Sequence, residues 1–260
     1  MSPEILLGGI AGNIIGSRFE HFPHKSLDFE LFSPECRFTA DTVLTVAVAD
    51  ALVSGRDYKP VLLEYGRHYP EIGYGSSFYQ WLHATNPQPY RGIGNGSAMR
   101  VSAVGWAFDS AEEVLREAEY SAYPTHNHPE GIKGAQAVAL SVFLARSGRD
   151  QAAIRQELGW RFGYHFEQTL AEIRPTYRLD NSCPGSVPQS ILAFLEAESV
   201  EDAIRKAISL GGDADTMACI AGAIAEAYFK EIPAEIVSGV RSRLPAEFLE
   251  VLERFSKKFS

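Results

Sequence analysis

Along the chain, apolar residues recur at three- and four-residue steps, and sustained alternation of apolar and polar positions is absent. That period belongs to helices with one buried face, so the pattern predicts an all-α chain. The clearest helices are Thr42 to Val53, Ala111 to Tyr120, Gly134 to Ala145, Val200 to Leu210, Thr216 to Phe229 and Ala246 to Phe255. The apolar face of Gln136 to Leu144 reads as ordinary helix packing. Four intervening segments are dense in Gly, Pro, Asn and Ser and predict loops: His21 to Arg37, Thr85 to Ser97, Tyr123 to Gly131 and Arg174 to Pro188. None is low in complexity or shifted in composition, so the expectation is a single domain over residues 1–260. Long polar loops on a helical body are where functional groups tend to sit.

Composition narrows the class. With 260 residues, 45% of them hydrophobic and 22% charged, the chain can close a core without disulfide or metal staples. No apolar run approaches the roughly 18 residues of a membrane span. Met1 to Glu4 carry no basic lead-in and no small-residue cleavage site clearly follows, so no signal peptide is read and a cytoplasmic chain is expected. The 24 basic against 33 acidic residues leave a net charge of -9, which argues against a sequence-independent grip on nucleic acid. An acidic surplus is also compatible with cation sites. Cys36, Cys183 and Cys219 lie far apart without C-x-x-C spacing, so buried thiols are expected and not a disulfide framework or structural zinc site.

Two segments resemble each other: Phe38-Thr39-Ala40-Asp41-Thr42 and Gly212-Asp213-Ala214-Asp215-Thr216. Each puts an Ala-Asp-Thr step before an alanine-rich apolar helix. Capping is the plainer reading, since Asp and Thr in a first turn accept orphan backbone N–H groups. A single cap needs one acceptor, however, and Asp213 to Thr216 offers two carboxylates and a hydroxyl. Hard oxygen donors converging in a first turn suit Mg²⁺ or Mn²⁺ better than zinc. The segment Gly92 to Arg100 is glycine-rich and opens into a helix, which permits either an anion cradle of backbone N–H groups or a tight turn capped by Ser97. It has neither the Walker lysine nor the strand-flanked dinucleotide fingerprint. In Thr125 to Gly131, His126 and His128 sit in a loop shaped by Pro129 and Gly131, with one ring free to pack or to meet a ligand.

Taken together, these pieces resemble the ADP-ribosylglycohydrolase family, the group that includes dinitrogenase-reductase-activating glycohydrolase. The matching segments are Gly8 to Glu20, Phe38 to Thr42, Gly94 to Arg100, Thr125 to Gly131 and Gly211 to Thr216, in the family's order and spread over most of the chain. The resemblance implies an all-α, single-domain globule of orthogonal helices with a cleft holding two Mg²⁺ or Mn²⁺ ions. It implies that Thr39 and Asp41 hold one side of the metal pair and Asp213, Asp215 and Thr216 the other. Glu20 would contact the metal site or close over it. Gly94, Asn95, Gly96 and Ser97 would cradle the pyrophosphate of ADP-ribose with Met99 nearby, and His126, or less directly His128, would border the adenosine side or the ribose.

The resemblance also exposes two departures. The family pattern is Thr-Asp-Asp where this chain has Thr39-Ala40-Asp41, so a carboxylate that helps hold the metals and activate water is missing at position 40. That implies either an inactivated Asp→Ala variant or a naturally degenerate, binding-only relative. Asn13 stands where the family often has Asp, which implies a slightly weaker hold on a metal ligand. The expected activity is metal-dependent hydrolysis of the C1 linkage between ADP-ribose and an acceptor, through an oxocarbenium-like transition state and impaired by Ala40. The rivals are a non-catalytic ADP-ribose-binding protein, a structural relative that lost its ligands, and a hydrolase of another phosphate ester.

Overall fold

The computed structural model describes residues 5–260. Met1 to Glu4, on which the absence of a leader was read, lie outside the described residues. Among the described residues there are fifteen α-helices: α1 (Leu7–Gly16), α2 (Ala40–Ser54), α3 (Tyr58–His68), α4 (Ser76–His83), α5 (Gly96–Met99), α6 (Ser102–Ala107), α7 (Ala111–Ala122), α8 (Pro129–Arg146), α9 (Gln151–Phe162), α10 (Leu170–Ile173), α11 (Cys183–Leu195), α12 (Val200–Ile208), α13 (Ala214–Phe229), α14 (Ala234–Arg241) and α15 (Ala246–Phe259). A 3-10 turn, Ser17–Phe19, extends α1, and the sole extended pairing among the described residues is a bridge between Gly94 and Ser182. None of these helices is long and apolar enough to cross a membrane. All three cysteines are buried free thiols.

The six helices read from periodicity are present, with ends that differ by a few residues. The loop readings need more correction. Arg174 to Pro188 contains the first half of α11, which begins at Cys183 and carries Pro184 in its first turn and Pro188 inside it. Proline is tolerated at the start of a helix because that N–H has no helical partner. Ser182 completes the start by accepting the Gly185 N–H. Likewise Pro129 to Gly131 form the first turn of α8.

The apolar centre is α13, whose residues from Ala214 to Ala227 are all buried, packed against α1, which is buried on every side. Small residues allow the close approach. A Cβ placed on Gly8 would lie 2.5 Å from the Gly222 carbonyl oxygen, and one on Gly16 would lie 2.5 Å from the Asp215 Cα; at Gly12 it would collide with the Ala218 carbonyl. Residues 8, 12 and 16 share one helix face, and their partners run backward along α13, so the two helices are antiparallel. The end of α1 is thereby fixed against the start of α13. Helices α8, α11 and α12 pack on other sides of α13.

Glu226 anchors the opposite end of this pair. Its buried carboxylate accepts the Leu7 N–H at 3.1 Å and the Gly8 N–H at 3.0 Å, so a side chain of α13 caps α1. Burial nevertheless pushes Glu226 up to about 8 against these hydrogen bonds.

Candidate active site

The residues expected to bind metal converge where α1 ends and α2 and α13 begin. Capping does not account for them: neither Thr39, at the N-cap of α2, nor Asp213, at that of α13, makes a side-chain cap bond. Ser110, Asp150, Ser182 and Ser199 do cap α7, α9, α11 and α12. The two similar segments instead turn their side chains toward each other. The Thr39 hydroxyl donates to Asp215 Oδ2 at 2.9 Å, and Thr216 hydrogen-bonds Asp41.

Asn13, on α1, is the buried centre of this arrangement. Its Nδ2 donates to Thr39 Oγ1 at 2.6 Å and to Asp215 Oδ2 at 3.2 Å, while its Oδ1 accepts the Thr39 N–H at 3.0 Å and the Thr42 hydroxyl at 2.6 Å. The sequence reading made Asn13 the minor departure; the structure makes it the strut between both halves of the cluster. An ionised Asp in its place would have no proton to give Asp215.

The electrostatics are those of crowded, dehydrated carboxylates. Burial is the largest cause raising Asp41 and Asp213 well above the ordinary range, followed by the charge of Asp215. Asp215 is also raised by burial, although its hydrogen bonds from Thr39 and Asp213 work against the shift. Half-buried Glu20, which follows the 3-10 turn, is raised by burial and then by Asp215. Such a cluster holds protons unless a cation replaces them.

Asp41 Oδ2 and Asp215 Oδ1 are buried without a hydrogen-bond partner. With the Thr39 and Thr216 hydroxyls, they form a hard-oxygen donor set of the kind a divalent cation takes. The set is incomplete, because no group of three or more Asp, Glu, His or Cys among the described residues is arranged to hold a metal ion. Position 40 contributes only a buried methyl group in the first turn of α2.

The glycine-rich loop joins this cluster through Asn95, whose Nδ2 donates to Asp213 Oδ2 at 2.7 Å and Ser186 Oγ at 3.1 Å. Its amide therefore braces a carboxylate. Ser97 neither caps α5 nor faces outward: its buried hydroxyl donates to the Gly131 carbonyl at 2.7 Å, and Asn95 occupies the N-cap. Gly94 pairs with Ser182, and buried Met99 accepts from Thr45 and Cys219 through its carbonyl. Gly96 lies beside buried His126, and a Cβ placed on it would lie 3.3 Å from Cε1 of the ring. His128 is elsewhere engaged, since its Nδ1 accepts the Glu130 N–H at 3.2 Å as the cap of α8.

The Lys25 ammonium donates to the carbonyls of Arg174 and Tyr177, both at 2.8 Å, and to that of Leu210, tying the segments His21 to Arg37 and Arg174 to Pro188 to the residue before Gly211. No sequence signal marked this lysine. Two surface grooves, one beside Ile232 and Val237 and one beside His165 and Gln189, lie away from the carboxylates. The unpartnered oxygens, and not open volume, mark the site.

A model of the ADP-ribosylglycohydrolase family matches residues 4–260. ADP-ribosylhydrolase ARH3 of Homo sapiens is 26% identical over 306 aligned residues, covering 86% of this chain and 84% of its own. The Mus musculus protein of the same name is 28% identical over 304, covering 86% and 82%. An uncharacterized protein of Archaeoglobus fulgidus is 32% identical over 172 residues, 60% of this chain and 55% of its own. A solved structure of an ADP-ribosylglycohydrolase-related protein complex superposes with a TM-score of 0.75, covering 98% of this chain and 96% of that one at 21% identity, a likeness of fold.

Proposed function

Because the chain belongs to the ADP-ribosylglycohydrolase family, we propose that it acts on the bond between C1 of the distal ribose of ADP-ribose and an acceptor atom, and that Ala40 makes its turnover slow. The observation that carries this reading is the pair of unpartnered oxygens, Asp41 Oδ2 and Asp215 Oδ1, buried beside the glycine-rich loop. Residues 1–260 serve this activity as one domain.

Thr39, Asp41, Asp213, Asp215 and Thr216 are the residues that would hold Mg²⁺ or Mn²⁺, two ions in the family's arrangement. Such ions, when bound, fix vicinal ribose hydroxyls and lower the pKa of water. The protein's own contribution is orientation. Asn13 holds Thr39 and Asp215 in one geometry, Asn95 couples Asp213 to the loop, and the loop from Gly94 to Ser97 receives the phosphates with Met99 and His126 beside it. Glu20 stands half-buried beside the cluster, its carboxyl raised above the ordinary range by burial and then by the charge of Asp215. An Asp at position 40 would add the base that orients water; the alanine methyl does neither job.

The test is a panel of ADP-ribosylated substrates, with arginine, serine, O-acetyl and nucleic-acid linkages, given to the Ala40→Asp protein with Mg²⁺ or Mn²⁺. Mass spectrometry then identifies the released acceptor. Hydrolysis of at least one class is expected, at a rate well above that of the chain with Ala40. The methyl at position 40 favours a second reading, a binding protein for ADP-ribose without catalysis. That reading holds if Ala40→Asp hydrolyses none of them while calorimetry registers ADP-ribose binding.

A further inference from the structure

His126 is buried with its ring edge against the glycine-rich loop. A Cβ on Gly92 would lie 2.8 Å from His126 Cδ2 and 3.0 Å from Nε2, and one on Gly96 would lie 3.3 Å from Cε1. Glycines at these positions make room for the imidazole, so loop and ring are built as one surface. The other ring nitrogen, Nδ1, is 2.7 Å from Thr125 Oγ1. The same hydroxyl oxygen lies 3.0 Å from Nη2 of Arg100, a wholly buried side chain whose Nη2 also donates to the Ser121 carbonyl.

Proton counting constrains the direction of the bonds in this relay. A guanidinium has no acceptor, so Thr125 Oγ1 accepts from Arg100 and must send its own hydrogen elsewhere. The Ala122 carbonyl lies at 3.4 Å and His126 Nδ1 at 2.7 Å, and the Tyr90 hydroxyl also hydrogen-bonds Thr125. The Ala122 carbonyl already accepts the backbone N–H groups of Thr125 at 3.1 Å and His126 at 2.8 Å. With Tyr90 donating its phenolic proton to the second lone pair of Thr125 Oγ1, the short bond to Nδ1 is the one the hydroxyl makes, which leaves Nδ1 bare and puts the ring proton on Nε2.

We propose that Arg100 and Thr125 are positioning residues that fix His126 in its Nε2–H tautomer, so that the ring offers an uncharged N–H donor to an acceptor atom of a ligand held at the Gly92–Gly96 loop. The His126 side-chain hydrogen bond among the described residues is made through Nδ1, and Nε2 faces Gly92 and Gly96, which leaves that donor for a ligand. Burial and then the Arg100 charge push His126 down to about 3, so the ring stays neutral at physiological pH. Arg100 also polarises the Thr125 hydroxyl and strengthens its bond to the ring. The ligand part of this inference rests on the loop's being part of the ADP-ribose site; the tautomer part does not.

Two-bond proton–nitrogen NMR of the full-length protein reads the tautomer directly, with His126→Gln identifying the signals. The expected spectrum has a protonated Nε2 and a bare Nδ1. Thr125→Val should lose that pattern and weaken ADP-ribose binding about tenfold by calorimetry, the loss of one hydrogen bond. Thr125→Ser should keep both. A protonated Nδ1 in the natural chain overturns the proposal, as does a Thr125→Ser protein whose tautomer matches Thr125→Val. If Thr125→Val does not fold, the natural chain and Thr125→Ser still decide it. A correct tautomer in a protein that binds no ADP-ribose refutes the site reading and the donor's role toward it, and leaves the Arg100–Thr125–His126 relay standing.

Discussion

A methyl group in the first turn of α2 and a carboxamide in the middle of α1 decide what this carboxylate cluster can do. Ala40 offers no donor to a cation and no base to water, while Asn13 gives protons to Thr39 and Asp215 without needing a metal. Both departures thus favour a cluster that holds together without a metal. Ala40→Asp should raise release of ADP-ribose by about 10²-fold or more, the usual size of a positioned acid–base group. It should also lower the melting temperature without Mg²⁺, because another carboxylate is buried among like charges, and raise Mg²⁺ affinity by calorimetry. Unchanged Mg²⁺ affinity would remove position 40 from the metal site. Asn13→Asp should cost about 1–3 kcal/mol of metal-free stability in urea titrations, since Asp215 loses a buried donor. Added Mg²⁺ should recover part of that loss; a neutral effect without metal would mean that Asn13 is not the strut.

At the scale of elements, the interface between α1 and α13 sets the spacing on which the cluster depends. Gly12→Ala introduces a Cβ onto the Ala218 carbonyl, and backbone cannot move aside as a flexible side chain can. The variant should lose at least about 1–3 kcal/mol in urea unfolding and bind Mg²⁺ more weakly, because Asp215 shifts with the start of α13. Full stability in Gly12→Ala would show that the helices are free to separate. The sequence displayed α2, α7, α8, α12, α13 and α15 through their apolar period, and the two Ala-Asp-Thr steps through their excess of oxygen donors over any cap's need. It concealed α11, whose Pro184 and Pro188 look like loop punctuation until Ser182 is seen to cap the turn. The antiparallel register of α1 on α13 was equally hidden, because glycines at 8, 12 and 16 carry no apolar signal and their meaning depends on a partner some 200 residues away. Thr125 and Arg100 escaped for a related reason: a proton relay is a property of three-dimensional neighbours.

For the whole molecule, buried acids with raised pKa values make stability a function of both pH and divalent cation. The folded state keeps a proton on Glu226 up to about 8, whereas the unfolded chain releases it near the ordinary value of 4.5. Between those limits the native state binds more protons than the unfolded state, so stability falls as pH rises and flattens above the upper one. One such group contributes a slope approaching ~1.4 kcal/mol per pH unit inside its window. Asp41, Asp213 and Asp215 are raised as well and add to the decline without metal. Saturating Mg²⁺ should cancel the part due to these aspartates, because a cation takes over the role of their protons, and at a hundred times its dissociation constant it should stabilise the fold by ~2.7 kcal/mol. The Glu226 part should persist in Mg²⁺, since that carboxylate faces the start of α1 and not the cluster, and Glu226→Gln should abolish it. Chemical denaturation from pH 5 to 8, with Mg²⁺ or with a chelator, separates the two contributions. Stability that rises across this range in the chelator would contradict the picture of proton-holding carboxylates. A slope that Glu226→Gln leaves untouched in Mg²⁺ would place the titrating group elsewhere.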